Sequence, residues 1–335
     1  MGKAKLDMKV DHKISELFDY PPSPPKISLP GSYDLSDQFP PPGDQKTPNP
    51  GVTGCVNQVA SGDNGEIPNL KDGLNSCVGF ALGYGIKTFH EKIENDWELK
   101  NKDNSLNYDH VFSPSFLYNI CYNKKKDRPE IQKAIDKFGS PTMSITEGLD
   151  ILKEHGICSL KDFPYIKDYN IIPDKNLMKK AEKYKIDKKT YRVEEDIENI
   201  KRFLIFQKPI LIITTIPKNL FERGYVTVDK NFSRRNGELI YDRKLIYGKI
   251  AKDYLHAMVI VGYNDKLKGL ENENQEVPSS QGALKIINSW GPNWGNNGYF
   301  WMTYDKFNYI KRKRSKYKLQ LFLVLDEGDS LNYSV

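Results

Sequence analysis

Three short strings, DGLNSCVGFA around Cys77, YLHAMVIVGY around His256 and INSWGPNWGNNGYF around Asn288, constrain this 335-residue chain more than anything else in it. They set a cysteine, a histidine and an asparagine in local settings that must meet in space if they are to act together. A free thiol with its usual pKa of about 8.5 is only a few per cent ionised near neutrality, so a nucleophilic cysteine needs a positive neighbour to hold the thiolate. Histidine can be that neighbour if it is kept in one tautomer and one orientation. An amide oxygen accepting from its Nδ1 would do this without adding a charge, and Asn288 offers that group. Cys77 also opens an apolar run, Val78, Phe80, Ala81, Leu82, Ile86 and Phe89, which predicts a helix buried on most faces. A cysteine in the first turn of such a helix lies at the positive end of its dipole.

Each residue taken alone has an ordinary explanation. A lone cysteine is most often a small buried hydrophobe, the reading adopted here for Cys55, Cys121 and Cys158. His256 sits in an apolar strand-like run, and Asn288 could simply start a turn. The coincidence of all three strings favours a shared site.

On these residues the chain resembles the papain-like cysteine peptidases, particularly their compact bacterial branch, from about Leu29 to Phe307. SYDLSDQFPPPGDQ resembles the opening strand, ending in Gln45. NSCVGFA resembles the nucleophile helix, and FSPSFLYN with SITEGLDILKEHGICSLKDFPY resembles the rest of the helical half. KPILIITTI, HAMVIVGYND and LKIINSWGPNWGNNGYFWMTYDKF resemble the β half, with Trp290 and Trp294 covering the asparagine. The resemblance implies an α+β papain-like fold of two lobes, a helical lobe whose nucleophile helix packs against a β-barrel-like lobe. It implies hydrolysis of peptide bonds through Cys77, His256 and Asn288 by way of a thioester, with peptide or protein substrates. Amide transfer to another nucleophile, or a papain fold kept only for binding, are the alternatives.

Two departures from the family pattern bear on substrate handling. The oxyanion glutamine normally stands close before the cysteine, whereas Gln45 is separated from the nucleophile string by residues 46 to 71. Gln45 is preferred because the preceding segment aligns without gaps, and Gln58 is the runner-up. The intervening residues are expected at the rim of the cleft, limiting access to Cys77, with the proline-rich N-terminal segment as the second candidate for that role. In the segment FGSPTMS, which begins Phe138-Gly139, a glycine pair that normally hydrogen-bonds substrate is replaced. Gly139 and Trp290 are the expected substrate-binding residues.

Punctuation divides the chain into an N-terminal extension or strap, residues 1–30, and a peptidase domain, residues 31–335. Within the latter the helical lobe should span about 73–188 and the β-rich lobe about 189–335 plus the opening strand. Residues 174–188 read as a surface helix or crossover. From Tyr191, β-branched and aromatic runs starting with FLIFQKPILIITTI predict strands, interrupted by long polar loops at 217–253 and 264–282. The net charge of +6 includes the strings Lys124-Lys125-Lys126 and Lys311-Arg312-Lys313-Arg314, but with 44 acidic residues these read as solvated surface, so no nucleic-acid partner is expected. No CxxC or HxxxH pair seeds a metal site, and no metal or other cofactor is expected. In secreted members of the family the position three before the nucleophile is a second, disulfide-bonded cysteine; here it is Leu74. The N-terminus lacks an apolar signal core and no run of 18 apolar residues occurs. The expectation is a cytoplasmic protein, or one exported without a classical signal peptide, with no membrane partner.

Overall fold

The computed structural model describes residues 18–41, 74–138, 140–166, 168–216, 232–235, 238–241, 254–268, 281–290, 295–313, 318–329, 331 and 333. Cys55, Gln45, Gln58, Gly139, Trp294 and the whole 42–73 segment, and with them the expectations placed there, lie outside the described residues.

Helix α1 runs without a break through Cys77–Gly79, Phe80–Lys87 and Thr88–Asn95, the middle stretch wound as a π-helix. Every residue from Phe80 to Lys87 is buried, as the crowded apolar run requires. Lys87 is the one charge in that stretch, and it is compensated inside the protein by Glu91 at 2.6 Å and by Asp326. Two residues after Cys77, Gly79 lies against the backbone of Pro114; a Cβ there would fall 2.6 Å from the Pro114 carbonyl oxygen. Only glycine lets α1 approach α2 (Pro114–Asn123) so closely. Helices α3 (Pro129–Phe138) and α4 (Ile145–His155) follow, α4 opened by a reciprocal capping box between Ser144 and Glu147. The periodic positions Ile145, Leu149, Leu152 and Ile157 are all buried. Helix α5 (Lys175–Ala181), capped by Asp174, takes up the first half of the stretch 174–188 read as a surface helix or crossover.

Among the described residues the other half is built on a nine-stranded sheet: β1 (Ser32–Asp34), β2 (Thr190–Val193), β3 (Ile210–Ile216), β4 (Phe232–Arg235), β5 (Glu238–Tyr241), β6 (Tyr254–Lys268), β7 (Gln281–Ile287), β8 (Tyr299–Thr303) and β9 (Leu319–Val324). Its order is β2-β9-β3-β6-β7-β8-β5-β4, with β1 on β6; all neighbours are antiparallel except β5 and β8. Three details differ from the sequence reading. FLIF does not begin a strand but ends helix α6 (Ile197–Ile205), because Asp196 caps it through the Asn199 N–H and Ile200, Phe203 and Leu204 share a buried face. The stretches read as polar loops contain β4 and β5 and the extensions of β6 and β7. Helix α7 (Tyr304–Arg312), capped by Thr303, follows β8 directly.

One continuous hydrophobic core takes in both halves, from Leu82 and Phe116 to Ile212 and Phe300. Helix α1 lies at their junction, its first turn and its π stretch packed on β6. Among the described residues no helix is long and apolar enough to cross a membrane.

The proline-rich segment runs over the sheet on the side of β2 and β9. The Phe18 ring meets Phe322 edge-on at 5.4 Å, the Asp19 carbonyl accepts from Arg192 N–H, and the Pro22 and Pro30 carbonyls accept from the hydroxyls of Tyr333 and Tyr263. Residues 18–31 therefore cover sheet rather than Cys77, which counts against the strap as the segment that limits access to it. Deleting residues 1–30 is expected to lower the melting temperature by roughly 5 °C or more, since a loss of a few kcal/mol moves a domain of this size by several degrees. Calorimetry checks this.

The far end of α1 is tied to the chain after β9. His90 Nδ1 lies 2.8 Å from Asp329, and Lys208 meets the same carboxylate. Burial would raise the Asp329 pKa, but its hydrogen bonds and charge contacts with His90 and Lys208 prevail and hold it well below the usual carboxylate range. A depressed folded pKa gives stability that is complete above the unfolded value of about 3.9 and lost as pH falls below it. Asp329→Asn should therefore destabilise the protein at pH 7 by roughly 1–3 kcal/mol and by less at pH 3, measured by urea unfolding at both pH values.

Candidate active site

Cys77 is the first residue of α1 and is half-buried, with its helix start stitched into the helical half on both sides. The Ser76 hydroxyl gives no helix cap; it is buried and shares a 2.9 Å hydrogen bond with Tyr165. Asn75 donates from its backbone N–H to Ser140 Oγ and from Nδ2 to the Ser140 carbonyl, each at 2.9 Å. The thiol thus sits where the positive end of the helix dipole favours a thiolate, on a turn that its neighbours hold still.

His256 and Asn288 come from neighbouring strands. His256 lies in β6 opposite Thr214 of β3, and Asn288 follows the last residue of β7. Both are buried, and His256 Nε2 donates to Asn288 Oδ1 at 2.7 Å. This corrects the expectation that Nδ1 would be the bonded nitrogen: from its place on β6 the ring presents Nε2 to the end of β7. Bonded through Nε2, the ring still has its tautomer and orientation fixed by the asparagine. The same Asn288 oxygen accepts from Ser289 N–H at 2.8 Å, so the side-chain amide is held from both sides.

The backbone of Asn288 is positioned by the turn encoded in NNGY. Asn297 and Gly298 both have positive φ, 52° and 86°, the signature of a two-residue hairpin turn that Asn-Gly favours. Asn296 and Tyr299 exchange backbone hydrogen bonds across it, and the Gly298 carbonyl accepts from Asn288 N–H at 2.9 Å. Trp290 is buried with its ring 5.0 Å from that of His256, tilted by 31°. Its place beside the histidine fits the expected cover over the hydrogen bond, and removes the water that would compete for it. Behind the site, α1 meets β6 and β7 around a cavity of about 20 Å³ bounded by Tyr84, Ala257 and Asn288, room for a single water at most.

The other described cysteines are unsuited to this chemistry. Burial pushes the Cys121 and Cys158 thiols up to about 12. Among the described residues no cluster of three or more His, Cys, Asp or Glu is placed to hold a metal ion. Asn75, Ser140, Tyr165 and Ser289 were not singled out in the sequence; Asn75 and Ser140 are too far apart in the chain for spacing to reveal their pairing.

A family model described as papain family cysteine protease matches residues 132–318. The chain belongs to the papain family of cysteine proteases. That match contains His256 and Asn288; Cys77 lies before it and rests on its own motif and position. An uncharacterized peptidase C1-like protein, L477, of Acanthamoeba polyphaga mimivirus is 25% identical over 244 residues, covering 69% of this chain and 62% of that protein. Falcipain-3 of Plasmodium falciparum is 28% identical over 162 residues, 48% of this chain and 28% of falcipain-3. The chain thus matches less than two thirds of the length of either relative. Among solved structures, xylellain, a cysteine protease from Xylella fastidiosa, superposes with a TM-score of 0.54 at 21% identity over 92% of both chains, a likeness of fold. The two-part α+β papain fold expected from the sequence is the one observed.

With Cys121 and Cys158 held as thiols, iodoacetamide at pH 6 should alkylate Cys77 at least tenfold faster than either, read by peptide mass mapping of the folded protein.

Proposed function

We propose that this chain is a cysteine peptidase in which Cys77, His256 and Asn288 act as a catalytic triad. The observation that carries the reading is the buried His256–Asn288 hydrogen bond beneath Trp290, on a strand against which the helix headed by Cys77 packs. His256 takes the thiol proton and, as imidazolium, holds the thiolate. Cys77 Sγ attacks the carbonyl carbon of a peptide bond, and the electron pair moves onto the carbonyl oxygen. The Cys77 backbone N–H and the Gln45 side-chain amide donate to that oxyanion, each such donor being worth roughly 3 kcal/mol in other hydrolases. The intermediate collapses with expulsion of the amine, which takes the proton from His256 and leaves a thioester. Water, deprotonated by His256, then hydrolyses the thioester, releasing the acid and restoring the thiol.

Asn288 serves by orientation, because its oxygen holds Nε2 and so turns Nδ1 toward the nucleophile. Gln45 is preferred on the match of the preceding segment to the family's opening strand; Phe39, stacked on Phe89 at 5.0 Å, and Pro41, whose carbonyl accepts from the Tyr84 hydroxyl, are near the last described residues before it.

Cys77→Ala and His256→Ala should each abolish turnover of peptide substrates in a folded protein, and Asn288→Ala should lower kcat by roughly 10- to 100-fold. An epoxysuccinyl inhibitor should add once, at Cys77, by mass spectrometry; turnover surviving in Cys77→Ala would refute the assignment. Between the two glutamines, Gln45→Ala should reduce kcat by roughly 10²-fold with little change in KM, since the bond strengthens only as charge develops. That pattern in Gln58→Ala alone would move the oxyanion role to Gln58.

A further inference from the structure

A serine at the start of a helix ordinarily caps it: its side-chain oxygen accepts from a backbone N–H two or three residues on, while its own backbone is extended. This chain uses the device repeatedly. Ser113, Ser144, Asp174, Asp196 and Thr303 open α2, α4, α5, α6 and α7, and each accepts from the N–H three residues on, with ψ between 117° and 175°. Ser76 holds the same place before Cys77 and behaves differently. Its carbonyl accepts the first helical bond, from Phe80 N–H at 3.1 Å, but its backbone is turned in, at φ −95° and ψ 14°, and its hydroxyl gives no cap. That hydroxyl lies instead 2.9 Å from the hydroxyl of Tyr165, and both residues are buried. Tyr165 is itself held in place. Its ring meets that of Phe80, on the same helix as Cys77, edge-on at 5.1 Å, and the next residue, Ile166, donates its N–H to Ser115 Oγ at 3.0 Å.

The N–H groups of a first helical turn carry the positive end of the macrodipole, equivalent to about half an elementary charge. A serine oxygen bonded to them would set its lone pair beside Cys77 and offset part of that field. We propose that Tyr165 is a positioning residue for the nucleophile: by holding the Ser76 hydroxyl it keeps the start of α1 free of a side-chain cap, so that the helix end acts on the Cys77 thiolate. The proposal rests on the peptidase reading above, in which Cys77 is the nucleophile. Tyr165 acts through Ser76 and not on the substrate. The bond to Tyr165 also satisfies the buried serine hydroxyl, which would otherwise turn to the nearest donors, the N–H groups of the helix start.

The test uses the full chain and reads the thiol directly, through the pH dependence of iodoacetamide labelling at Cys77 followed by peptide mass mapping. Tyr165→Phe keeps the ring and its contact with Phe80 and removes only the hydroxyl. The labelling midpoint is expected to rise by roughly 0.3–0.7 of a pH unit, which slows labelling about two- to fivefold on the acid side and leaves the alkaline plateau unchanged. Adding Ser76→Ala, which removes the released oxygen, should return the midpoint to the wild-type value, and Ser76→Ala alone should leave it there. If Tyr165 only stiffens the turn, the double variant stays shifted as far as Tyr165→Phe. That result, or an unchanged midpoint in folded Tyr165→Phe, would overturn the proposal. Tyr165→Leu, with the same serine comparison, is read in its place if Tyr165→Phe does not fold. Absence of peptide turnover in the wild-type protein would count against the peptidase reading and leave the comparison of midpoints standing.

Discussion

The hydrogen bond from His256 Nε2 to Asn288 Oδ1 is the constraint around which the rest is arranged. It fixes which ring nitrogen is turned to the end of β7, and a bond of this kind holds a ring in place only where water cannot replace either partner. Burial of both residues and the Trp290 ring meet that condition. The bond also demands that the end of β7 and the start of β6 be held together, which their adjacent places in the sheet and the Asn297-Gly298 turn accomplish. Helix α1 must then bring its first turn against β6, and the shared core of the two halves leaves it no freedom to do otherwise.

Much of this was legible in the residues, for identifiable reasons. The apolar run after Cys77 has nearly no polar position, so it could only be a buried helix; its π winding could not be read, since no composition marks it. The Asn297-Gly298 turn that supports Asn288 was not read from the sequence, although an Asn-Gly pair is a local turn signal that could have found it. Where the reading failed, a local signal was outweighed by a neighbour. FLIF has strand-like content, but the Asp196 cap three residues before Asn199 and the spacing of Ile200, Phe203 and Leu204 impose a helix. The choice of Nε2 over Nδ1 depends on the direction from which β7 approaches β6, a matter of tertiary geometry absent from any local string. The Asn75–Ser140 hook joins residues 65 apart and was equally beyond pattern.

The basic character of the sequence also finds its explanation in pairing. Of the Lys124-Lys125-Lys126 string, Lys124 meets Glu154 and Lys125 is buried on Glu147. Lys311, from the second cluster, reaches the Glu195 carbonyl. Part of each basic string is thus engaged within the protein.

The long reach of these contacts has a consequence for the newborn chain. Strand β1 pairs with β6, the far end of α1 is tied to Asp326 and Asp329, and the proposed nucleophile precedes Asn288 by about 210 residues. At roughly 5–20 residues per second, translation separates the emergence of Cys77 from that of its oriented histidine by about 10–40 s. Throughout that interval helix α1 has no β6–β7 pair to pack against. A topology of such high contact order folds slowly, and the first turn of α1 cannot dock on a completed β6–β7 pair until both strands have been made.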